Sequence, residues 1–514
     1  RNADSFPEAG TNCMVGTGKK QKGCPVCTLL RKGRGWYNEK NYSSKKVNLR
    51  SYCSLREISA KRGDDLVKII KNARIITMDP QRRFFTNGAI VVEGRRIAAI
   101  GESVALEKQY AGAQQIDAKG MLVIPGLINA HTHIYQILYK GLGDDASLSD
   151  WLKKCVYPMS LELQGRDCYH AAMLTAVEMI KGGATTYVDC HYMNRDLECQ
   201  DYIAEATKVS GLRGVLGRAT IDHAPAPEAL REPVAQAVAE CERVIKTYRG
   251  AADGRISVRV EALNEKLASA EMLRAMRGVA DSFGVGLNMH IAEAAERVKE
   301  CQERFGMTSI EYAHSLGILG PDALLAHCCW LSEHDKHLLA ETGTSVAHNP
   351  VSNQYLADGV APIPALIKLG VNITAGPDGA CSNNNQNMFD VMKSAALLHK
   401  VNSLDPEIMT ADTAFEMVTI NAAKALGMEK DIGSLEVGKY ADLAMIDTTQ
   451  PCMTPCFNPL SNLVYAATPD VVQSTMIHGE LLMYERKLLF IDEKETVAKA
   501  NEASWCLARR AGLV

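Results

Sequence analysis

The chain is 514 residues long, and 46% of its residues are hydrophobic while 23% are charged. These values are ordinary for a folded globular protein, and the length suffices for one large barrel with a smaller domain. The net charge of −3 gives no sign of a nucleic-acid or membrane partner. The 16 cysteines are scattered rather than spaced as in a disulfide module, which favours reduced thiols in a cytoplasmic protein.

Residues 1–65 differ in charge from the rest of the chain. Residues 1–63 contain 14 Lys and Arg against four acids, a net of +10, and they show no sustained hydrophobic period. We predict a basic, poorly ordered extension here. Cys24 and Cys27 form a CxxC pair, but zinc binding is the less favoured interpretation because only Cys13 lies close enough to complete a ligand set. An organelle transit peptide is a further alternative for a basic leader.

Short alternating apolar strands follow in residues 66–126 and return in residues 431–490. The stretches VKIIKNARIITMD and GAIVVEGRRIAAIG belong to the first segment, and GSLEVGKYADLAMID belongs to the second. Gly, Asn and Asp turns separate the strands. We therefore predict a small β-sandwich domain built from both ends of the chain, with residues 491–514 as a C-terminal helical tail.

Strands alternate with amphipathic helical segments over residues 127–430. Eight strands are predicted, each followed by a helix, which is the number that closes a (β/α)8 barrel. The predicted strands are Gly126–His133, Ala184–His191, Gly211–Ile221, Ile256–Ala262, Gly286–His290, Ala323–His327, Thr344–His348 and Val371–Pro377. The predicted fold class is therefore α/β, a distorted TIM barrel that carries the β-sandwich domain.

Polar residues end several barrel strands, where a barrel of this kind places its reactive groups. The first strand ends in His131 and His133, whose i, i+2 spacing puts both imidazoles on one face. Alone this pair is a weak signal, since 13 histidines in 514 residues give about 0.3 such pairs by chance. His290 and Asp378 end the fifth and eighth strands at the same rim. Together the four side chains predict one divalent metal ion, with Zn²⁺ favoured over Fe²⁺ and one position open for water.

Proton carriers are predicted beside this ion. Asp378 is placed to accept a proton from the attacking water, Glu293 to protonate a ring nitrogen of the substrate, and His327 to polarise the water or the developing charge. A bound divalent ion lowers the pKa of its water from about 15.7 to about 7, so hydroxide is available at neutral pH. The fourth strand ends without a lysine, the residue that often bridges two metals, so one ion is predicted rather than two.

Long motifs carry a family resemblance over roughly residues 66–490. They include PGLINAHTHIYQ, GGATT, HIAE, LLAHC, VAHNPVSN, GPDGACSNN and GSLEVGKYADL. The chain resembles the amidohydrolase superfamily, in its mononuclear branch of cytosine-, guanine- and S-adenosylhomocysteine-type deaminases and triazine hydrolases. The resemblance implies the same metal ligands and proton carriers, a small heterocyclic substrate, and a homo-oligomer of two or more chains. It also places Trp151, Ser382 and Gln136 in the substrate pocket, although Trp151 is equally compatible with a packed aromatic at a helix start.

Two departures from the family pattern matter. Adenosine-type deaminases usually carry Gly-Pro-His after the fourth strand, where this chain has Glu261-Ala262-Leu263-Asn264, so a free heterocycle is favoured over a nucleoside. Pro377 replaces the usual Thr before the metal aspartate. Proline lacks a backbone N–H donor, which predicts altered hydrogen bonding at this point.

Three functions are compatible with these residues. The favoured one is metal-dependent hydrolytic deamination of an amino-substituted N-heteroaromatic ring, such as a purine, pterin or pyrimidine. A triazine-type chlorohydrolase or alkylamine hydrolase would use the same site with another leaving group. A non-catalytic scaffold is the least favoured, because every predicted ligand and both proton carriers are present.

Overall fold

The computed structural model describes residues 66–514, which form two β-sheets and the helices around them. In chain order the strands are β1 (Val67–Ile76), β2 (Phe84–Glu93), β3 (Arg96–Glu102), β4 (Gln114–Asp117), β5 (Leu122–Pro125), β6 (Leu127–Thr132), β7 (Ala184–His191), β8 (Arg213–Ala219), β9 (Ile256–Glu261), β10 (Leu287–Ile291), β11 (Ala323–His327), β12 (Ser345–His348), β13 (Ile373–Ala375), β14 (Leu443–Ile446), β15 (Val472–Ile477), β16 (Glu480–Tyr484) and β17 (Lys487–Leu488). The predictions for residues 1–65, including the Cys24–Cys27 pair, lie outside the described residues.

The first sheet combines strands from both ends of the described chain. Its order is β17-β16-β15-β14-β5-β1-β2-β3, with β4 paired to β1. The two ends meet where β14 runs antiparallel to β5, with Leu443 opposite Pro125. The core of this sheet includes the fully buried side chains of Ile70, Ile90, Val123, Leu443 and Met476. The predicted β-domain built from both ends is confirmed, and it takes the form of one continuous nine-stranded sheet.

The second sheet is the predicted barrel. Strands β6 to β13 pair in chain order, and every pair is parallel. The chain after β13 returns to β6, where the Asp378 N–H donates to the His131 carbonyl over 3.1 Å. Gly376 allows this approach, because a Cβ on it would lie 2.6 Å from the same carbonyl oxygen. The (β/α)8 fold class is confirmed, and its closure brings the ends of the first and last strands together.

Six of the eight barrel strands begin and end within one residue of the predicted bounds. The third is shorter than Gly211–Ile221 because Gly211 ends the preceding helix in the left-handed conformation, with φ +84°, as helix C-caps commonly do. The eighth is shorter than Val371–Pro377 because a proline cannot donate to the strand ladder. Both differences arise from backbone geometry that a hydrophobic pattern does not record.

Helices surround the barrel and bury one face each. In helix Ala270–Phe283 the buried residues include Met272, Met276 and Val279, a helical spacing, and Ser269 caps the N-terminus by accepting from the Met272 N–H. The α-helices are Ser103–Gln109, Leu148–Trp151, Tyr157–Leu161, Gly165–Lys181, Cys199–Ser210, Val234–Tyr248, Ala251–Gly254, Ala270–Phe283, Ala295–Phe305, Ser309–Ser315, Glu333–Thr342, Pro350–Tyr355, Ile363–Lys368, Met388–Ser403, Ala411–Met417, Ile420–Ala425, Pro459–Tyr465 and Glu493–Arg510. Among the helices of residues 66–514, none has the length and apolarity needed to cross a membrane.

A buried ion pair joins the two sheets. Arg213, at the start of β8, donates to Asp442, just before β14, over 2.9 Å, and the two side chains are 4% and 3% exposed. Asp442 also accepts from the His478 backbone N–H over 2.7 Å. The Arg213 guanidinium lies 4.7 Å from the centre of the Tyr440 ring. Both charges are desolvated but well bonded, so the loss of either leaves the other uncompensated.

Asp442→Ala is expected to lower the free energy of unfolding by about 3–5 kcal/mol, because it leaves the buried Arg213 guanidinium without its partner. Chemical denaturation followed by circular dichroism measures this loss. Asp431→Ala is the control, since Asp431 pairs with Arg96 at the surface over 3.0 Å, and it is expected to cost less than about 1 kcal/mol. Equal losses in the two variants would contradict the role given to the buried pair.

Candidate metal centre

Four imidazoles and one carboxylate meet at the carboxyl ends of the barrel strands. They come from the ends of β6, β10 and β11 and from the residues after β13, and are those of His131, His133, His290, His327 and Asp378. Asp378 Oδ1 lies 3.3 Å from His131 Nε2 and 3.1 Å from His133 Nε2. His290 Nε2 is 3.2 Å from His133 Nε2. None of the five residues is more than 7% exposed, so the predicted ligands converge on one buried point.

These separations suit one small divalent ion. Ligands about 2.0–2.2 Å from a tetrahedral ion lie roughly 3.3–3.6 Å from one another, close to the 3.1–3.3 Å between these atoms. His131 Nε2 is buried and has no hydrogen-bond partner among the described residues. Since buried polar atoms normally have a partner, the unsatisfied nitrogen is itself a sign that an ion belongs here.

The protonation states in this cluster are those of metal ligands. Burial lowers the pKa of His131, and burial together with the neighbouring imidazoles lowers the pKa of His290 well below its usual range. Burial would raise the pKa of Asp378, but the neighbouring His131 and His133 imidazoles hold it well below its usual range. Burial would lower the pKa of His133, but the Asp378 carboxylate and the Cys190 carbonyl raise it. At neutral pH the cluster therefore contains an ionised carboxylate together with neutral imidazoles at His131 and His290, which are forms that bind a metal.

Backbone and hydroxyl groups hold the ligands in position. The His133 Nδ1–H donates to the Cys190 carbonyl over 2.6 Å, which leaves the Nε2 lone pair free to face the cluster. Asp378 Oδ2 accepts from Ser352 Oγ over 2.7 Å and from Ser382 Oγ over 3.3 Å. The hydroxyls therefore occupy Oδ2, while Oδ1 faces the imidazoles and also accepts from the Gly379 N–H over 2.8 Å.

Glu293 and His327, the predicted proton carriers, lie side by side at the edge of the cluster. Glu293 Oε1 is 3.6 Å from His327 Nε2. Asn353 Nδ2 donates to His327 Nδ1 over 2.9 Å, so Nδ1 is an acceptor and the ring N–H lies on Nε2. Arg297 Nη2 lies 3.8 Å from Glu293 Oε2 and adds a positive charge beside it. Sequence reasoning did not single out Asn353, since an amide in the short helix Pro350–Tyr355 gives no signal of its partner.

Asp358 is a second functional candidate that the sequence analysis missed. It is 5% exposed, and its Oδ2 lies 3.4 Å from Asn353 Nδ2. Burial, followed by repulsion from Glu293, raises the pKa of Asp358 to about 8, so it is mainly a neutral acid at pH 7. The Trp330 indole N–H donates to its carbonyl over 2.6 Å. No sequence motif marks Asp358, because its environment depends on how the loops pack.

Three residues at this rim have left-handed backbone conformations. The φ angle is +49° at Ala292, +76° at His327 and +68° at Asp378, a region that non-glycine residues rarely occupy. Such strain persists only where surrounding contacts fix it, and it concentrates at functional sites. The backbone therefore points to the same end of the barrel as the side chains do.

The expected effect of Pro377 on backbone bonding is small in the structure. The Gly376 N–H donates to the His348 carbonyl over 3.1 Å, and the Asp378 N–H donates to the His131 carbonyl. The N–H groups on both sides of Pro377 are therefore hydrogen-bonded, and the proline disrupts neither bond.

The fourth barrel strand ends in a buried carboxyl rather than a lysine. Glu261 has no exposed surface, and its Oε1 accepts from Asn288 Nδ2 over 2.6 Å. Cys190, Glu261 and His290 place ligand atoms within 4.8 Å of one another. Burial raises the pKa of Glu261, which favours its protonated form, a poor ligand, and its Oε1 is already bonded to Asn288. The ionised carboxylate at Asp378 therefore marks the preferred position of a single ion.

The three predicted substrate contacts are bonded within the protein. Trp151 is 4% exposed, and its indole N–H donates to the Cys381 carbonyl over 3.1 Å. Ser382 is fully buried and donates to the metal-site carboxylate, as described above. Gln136 is fully buried, and its amide donates to the Tyr192 hydroxyl over 2.9 Å. Their contact with a substrate stays a prediction.

A cavity of about 720 Å³ is lined by residues that contact the neighbours of the proton carriers, and its volume is within the range of about 300–1,000 Å³ that is usual for small-molecule sites. Arg297 and Asp358 line it. Arg297 contacts Glu293, and Asp358 is linked to His327 through an amide, so the wall leads to the cluster. Trp330 and Tyr157 add aromatic surface to the same wall. The site can therefore hold an aromatic ring next to a proton donor.

Comparison with known proteins identifies the family. Residues 122–482 match the amidohydrolase family. The chain belongs to this family. It is 39% identical over 444 residues to a 5′-deoxyadenosine deaminase of Methanosarcina acetivorans, a match that covers 86% of this chain and 99% of that protein. It is 36% identical over 433 residues to a 5-methylthioadenosine/S-adenosylhomocysteine deaminase of Syntrophobacter fumaroxidans, covering 84% and 96%.

Solved structures of amidohydrolases share the fold. An adenosine deaminase from Xanthomonas campestris with bound zinc has a TM-score of 0.81 at 28% identity, over 87% of this chain and 99% of that chain. An atrazine chlorohydrolase from Arthrobacter aurescens in complex with zinc has a TM-score of 0.80 at 23% identity, over 85% and 100%. The second likeness concerns the fold alone. The predicted family is confirmed, and with it the enzyme class, a hydrolase of carbon–nitrogen bonds other than peptide bonds.

Ser352→Ala is expected to weaken zinc affinity by about 10- to 100-fold, because it removes a hydrogen bond that holds the Asp378 carboxylate. Competition with a chromogenic chelator measures the dissociation constant. Ser315→Ala is the matched control, since Ser315 Oγ donates to the Tyr312 carbonyl in a separate helix. Unchanged affinity in Ser352→Ala would refute the supporting role of this hydroxyl.

Proposed function

We propose that the chain is a metal-dependent hydrolytic deaminase of a 6-aminopurine nucleoside that is modified at the 5′ position. The observation that carries the proposal is the pairing of Glu293 with His327, 3.6 Å apart, beside a buried donor set for one ion. Deamination of a ring needs these two elements together: a proton donor for the ring nitrogen and an activated water. The two relatives at 39% and 36% identity are named as deaminases of nucleosides modified at the 5′ position.

We assign the ion to His131, His133, His290 and Asp378, and we favour Zn²⁺ over Fe²⁺. Ligand spacing near 3.2 Å, three buried imidazoles and one carboxylate support this assignment. The zinc in the related adenosine deaminase structure supports the choice of metal. When bound, the divalent ion supplies an activated water at neutral pH.

The proposed reaction exchanges the amino group for oxygen. Water adds to the ring carbon that carries the amino group, Asp378 accepts a proton from that water, and Glu293 gives a proton to the adjacent ring nitrogen. The Nε2–H of His327 stabilises charge that develops on the oxygen. The amino group leaves as ammonia with the proton that Asp378 accepted. The hydroxyl proton passes to Glu293, which leaves a carbonyl group and restores both carboxyl groups.

A nucleoside substrate departs from the expectation of a free heterocycle. That expectation came from the absence of Gly-Pro-His after the fourth strand, and the Asn264 side chain there accepts from the Lys266 and Leu267 N–H groups. The names of the relatives nevertheless favour a nucleoside. We propose that Asp358, the most buried charged residue of the cavity wall, takes over a contact with the sugar.

A free base and an s-triazine are the alternative substrates. The triazine alternative rests on similarity of fold at 23% identity, whereas the nucleoside rests on relatives of higher identity that the chain matches almost end to end. The three alternatives differ in leaving group and in size, so product analysis separates them. A homo-oligomer in the cytoplasm stays a prediction.

A substrate panel tests the proposed function. The zinc-loaded full chain is incubated with 5′-deoxyadenosine, 5′-methylthioadenosine, S-adenosylhomocysteine, adenine, guanine and a chlorinated s-triazine, while ammonia and ultraviolet absorbance are measured. Ammonia and a 6-oxopurine product are expected from at least one of the three nucleosides. Glu293→Gln is the control, expected to retain zinc and to lose about 10²–10⁴-fold in kcat. Ammonia from free bases alone, or chloride from the triazine alone, would overturn the proposal.

Asp358→Asn is expected to retain activity at neutral pH and to extend it to higher pH. The pKa of Asp358 is raised to about 8, so the carboxyl is mainly neutral below that pH and adds a negative charge beside Glu293 above it. Asparagine keeps the shape of the neutral acid but does not ionise. The profile of kcat/KM against pH measures the effect. A fall in activity near pH 8 that is the same in both proteins would contradict a role for this group.

A further inference from the structure

A second group of metal-type ligands lies between β7 and its two flanking helices. Cys168 belongs to helix Gly165–Lys181, His191 ends β7, and Cys199 begins helix Cys199–Ser210. The two thiols and one ring nitrogen of His191 lie within 4.8 Å of one another. The three residues are at most 1% exposed. The fold thus brings three soft ligands from three elements to one buried point.

His191 is the unusual member of this group. It has no exposed surface, and neither ring nitrogen has a hydrogen-bond partner among the described residues. The Met193 backbone lies near the ring and acts to raise its pKa, but it forms no hydrogen bond with either nitrogen. The Tyr135 ring packs edge-on against the imidazole, with ring centres 5.0 Å apart. Because neither nitrogen is bonded within the described residues, one can carry the ring proton while the other keeps a free lone pair, as a metal ligand must.

The two thiols suit a soft divalent ion. The Cys168 and Cys199 sulfur atoms lie within 4.8 Å of each other in a buried position, so two bare thiolates would be unfavourable there. Two thiolates with one divalent cation sum to zero charge, which a buried site tolerates. Sulfur and imidazole are the ligands of zinc sites, whereas Mg²⁺ and Ca²⁺ take oxygen ligands.

We propose that Cys168, His191 and Cys199 form a structural site for a thiophilic metal ion of the Zn²⁺ class. Three protein ligands leave one position for a water or a protein oxygen. Gln200, next to Cys199, has a buried side-chain oxygen without a hydrogen-bond partner in residues 66–514. The site shares no residue with the proposed deaminase centre and does not depend on that function.

An ion at this site would fasten the end of β7 to both helices, which pack on each other. Cys190 precedes His191 in the chain, and its carbonyl accepts from the His133 Nδ1–H over 2.6 Å. The anchored strand end is therefore the one that orients a ligand of the catalytic cluster. The second ion would affect catalysis only by fixing the end of β7, and it would not touch the substrate.

X-ray absorption at the zinc edge tests the site in the full chain. Cys13, Cys24, Cys27 and Cys53 are first changed to Ser, so that thiols outside the described residues do not contribute. After loading with zinc and removal of excess, two zinc ions per chain and a Zn–S distance of about 2.3 Å are expected. One ion per chain with nitrogen and oxygen neighbours alone would overturn the proposal.

Variants of the cluster locate the sulfur signal. Cys168→Ser/Cys199→Ser is expected to lose the Zn–S signal and one ion, while His290→Ala loses the other ion and keeps the signal. Cys241→Ser is the matched control, because Cys241 is 2% exposed and instead contacts Met276 Sδ at 3.7 Å. A Zn–S signal that persists in the double variant would overturn the proposal. A Cys168–Cys199 disulfide, found by mass spectrometry in protein that holds one ion, would overturn it equally.

The decisive spectrum is that of the protein with Cys168 and Cys199 intact. If the double variant fails to fold, the presence or absence of the Zn–S signal in that parent protein still decides the matter. If the zinc-loaded parent protein shows the sulfur signal but releases no ammonia from any substrate of the panel, the proposed deaminase is refuted and the structural site stands.

Discussion

The carboxylate of Asp378 is the group on which the rest of the site depends. Its backbone N–H closes the barrel onto the His131 carbonyl, and its φ of +68° turns the chain at that point. Burial alone would keep this carboxyl protonated, but contacts with His131 and His133 hold it ionised. Ser352 then occupies the second oxygen. Barrel closure, local charge and metal affinity are therefore a single constraint, because each requires the same side chain in the same place.

The strand ends explain how much of the site the sequence predicts. His131, His290 and Asp378 follow strands with a visible apolar pattern, and parallel strands of a barrel end at one rim, so their convergence follows from the fold class. Asn353 and Asp358 lie in the segment after β12, where no period fixes their direction. Their link to His327 forms only when that segment packs against the neighbouring strand end. The sequence therefore predicts the residues at or directly after the barrel strand ends, and it misses those whose position depends on how the segment after β12 packs.

Contacts between the two sheets also depend on packing that the sequence pattern does not reveal. The alternating pattern predicts that strands from both chain ends form one β-domain, and β14 does pair with β5. It does not reveal that Arg213 of the barrel pairs with Asp442 beside β14, because two charged residues 229 positions apart have no local signal. Trp151 illustrates the converse: its place near a helix start is visible in the sequence. The bond of its indole to the Cys381 carbonyl follows from packing.

The side chains at the end of the fourth barrel strand limit where a substrate can be recognised. Glu261 is bonded to Asn288 inside the barrel, and Asn264 accepts from backbone N–H groups of its own turn. Both side chains are thus committed to structure, so a sugar must be recognised elsewhere in the cavity wall. On the proposed assignment Asp358 does this, and Asn353 links it to His327. A substrate that engages Asp358 therefore acts on the same amide that orients a proton carrier. Asn353 would then couple sugar binding to proton transfer. The contacts to the sugar can therefore differ from the family pattern while the reaction at the ring stays the same.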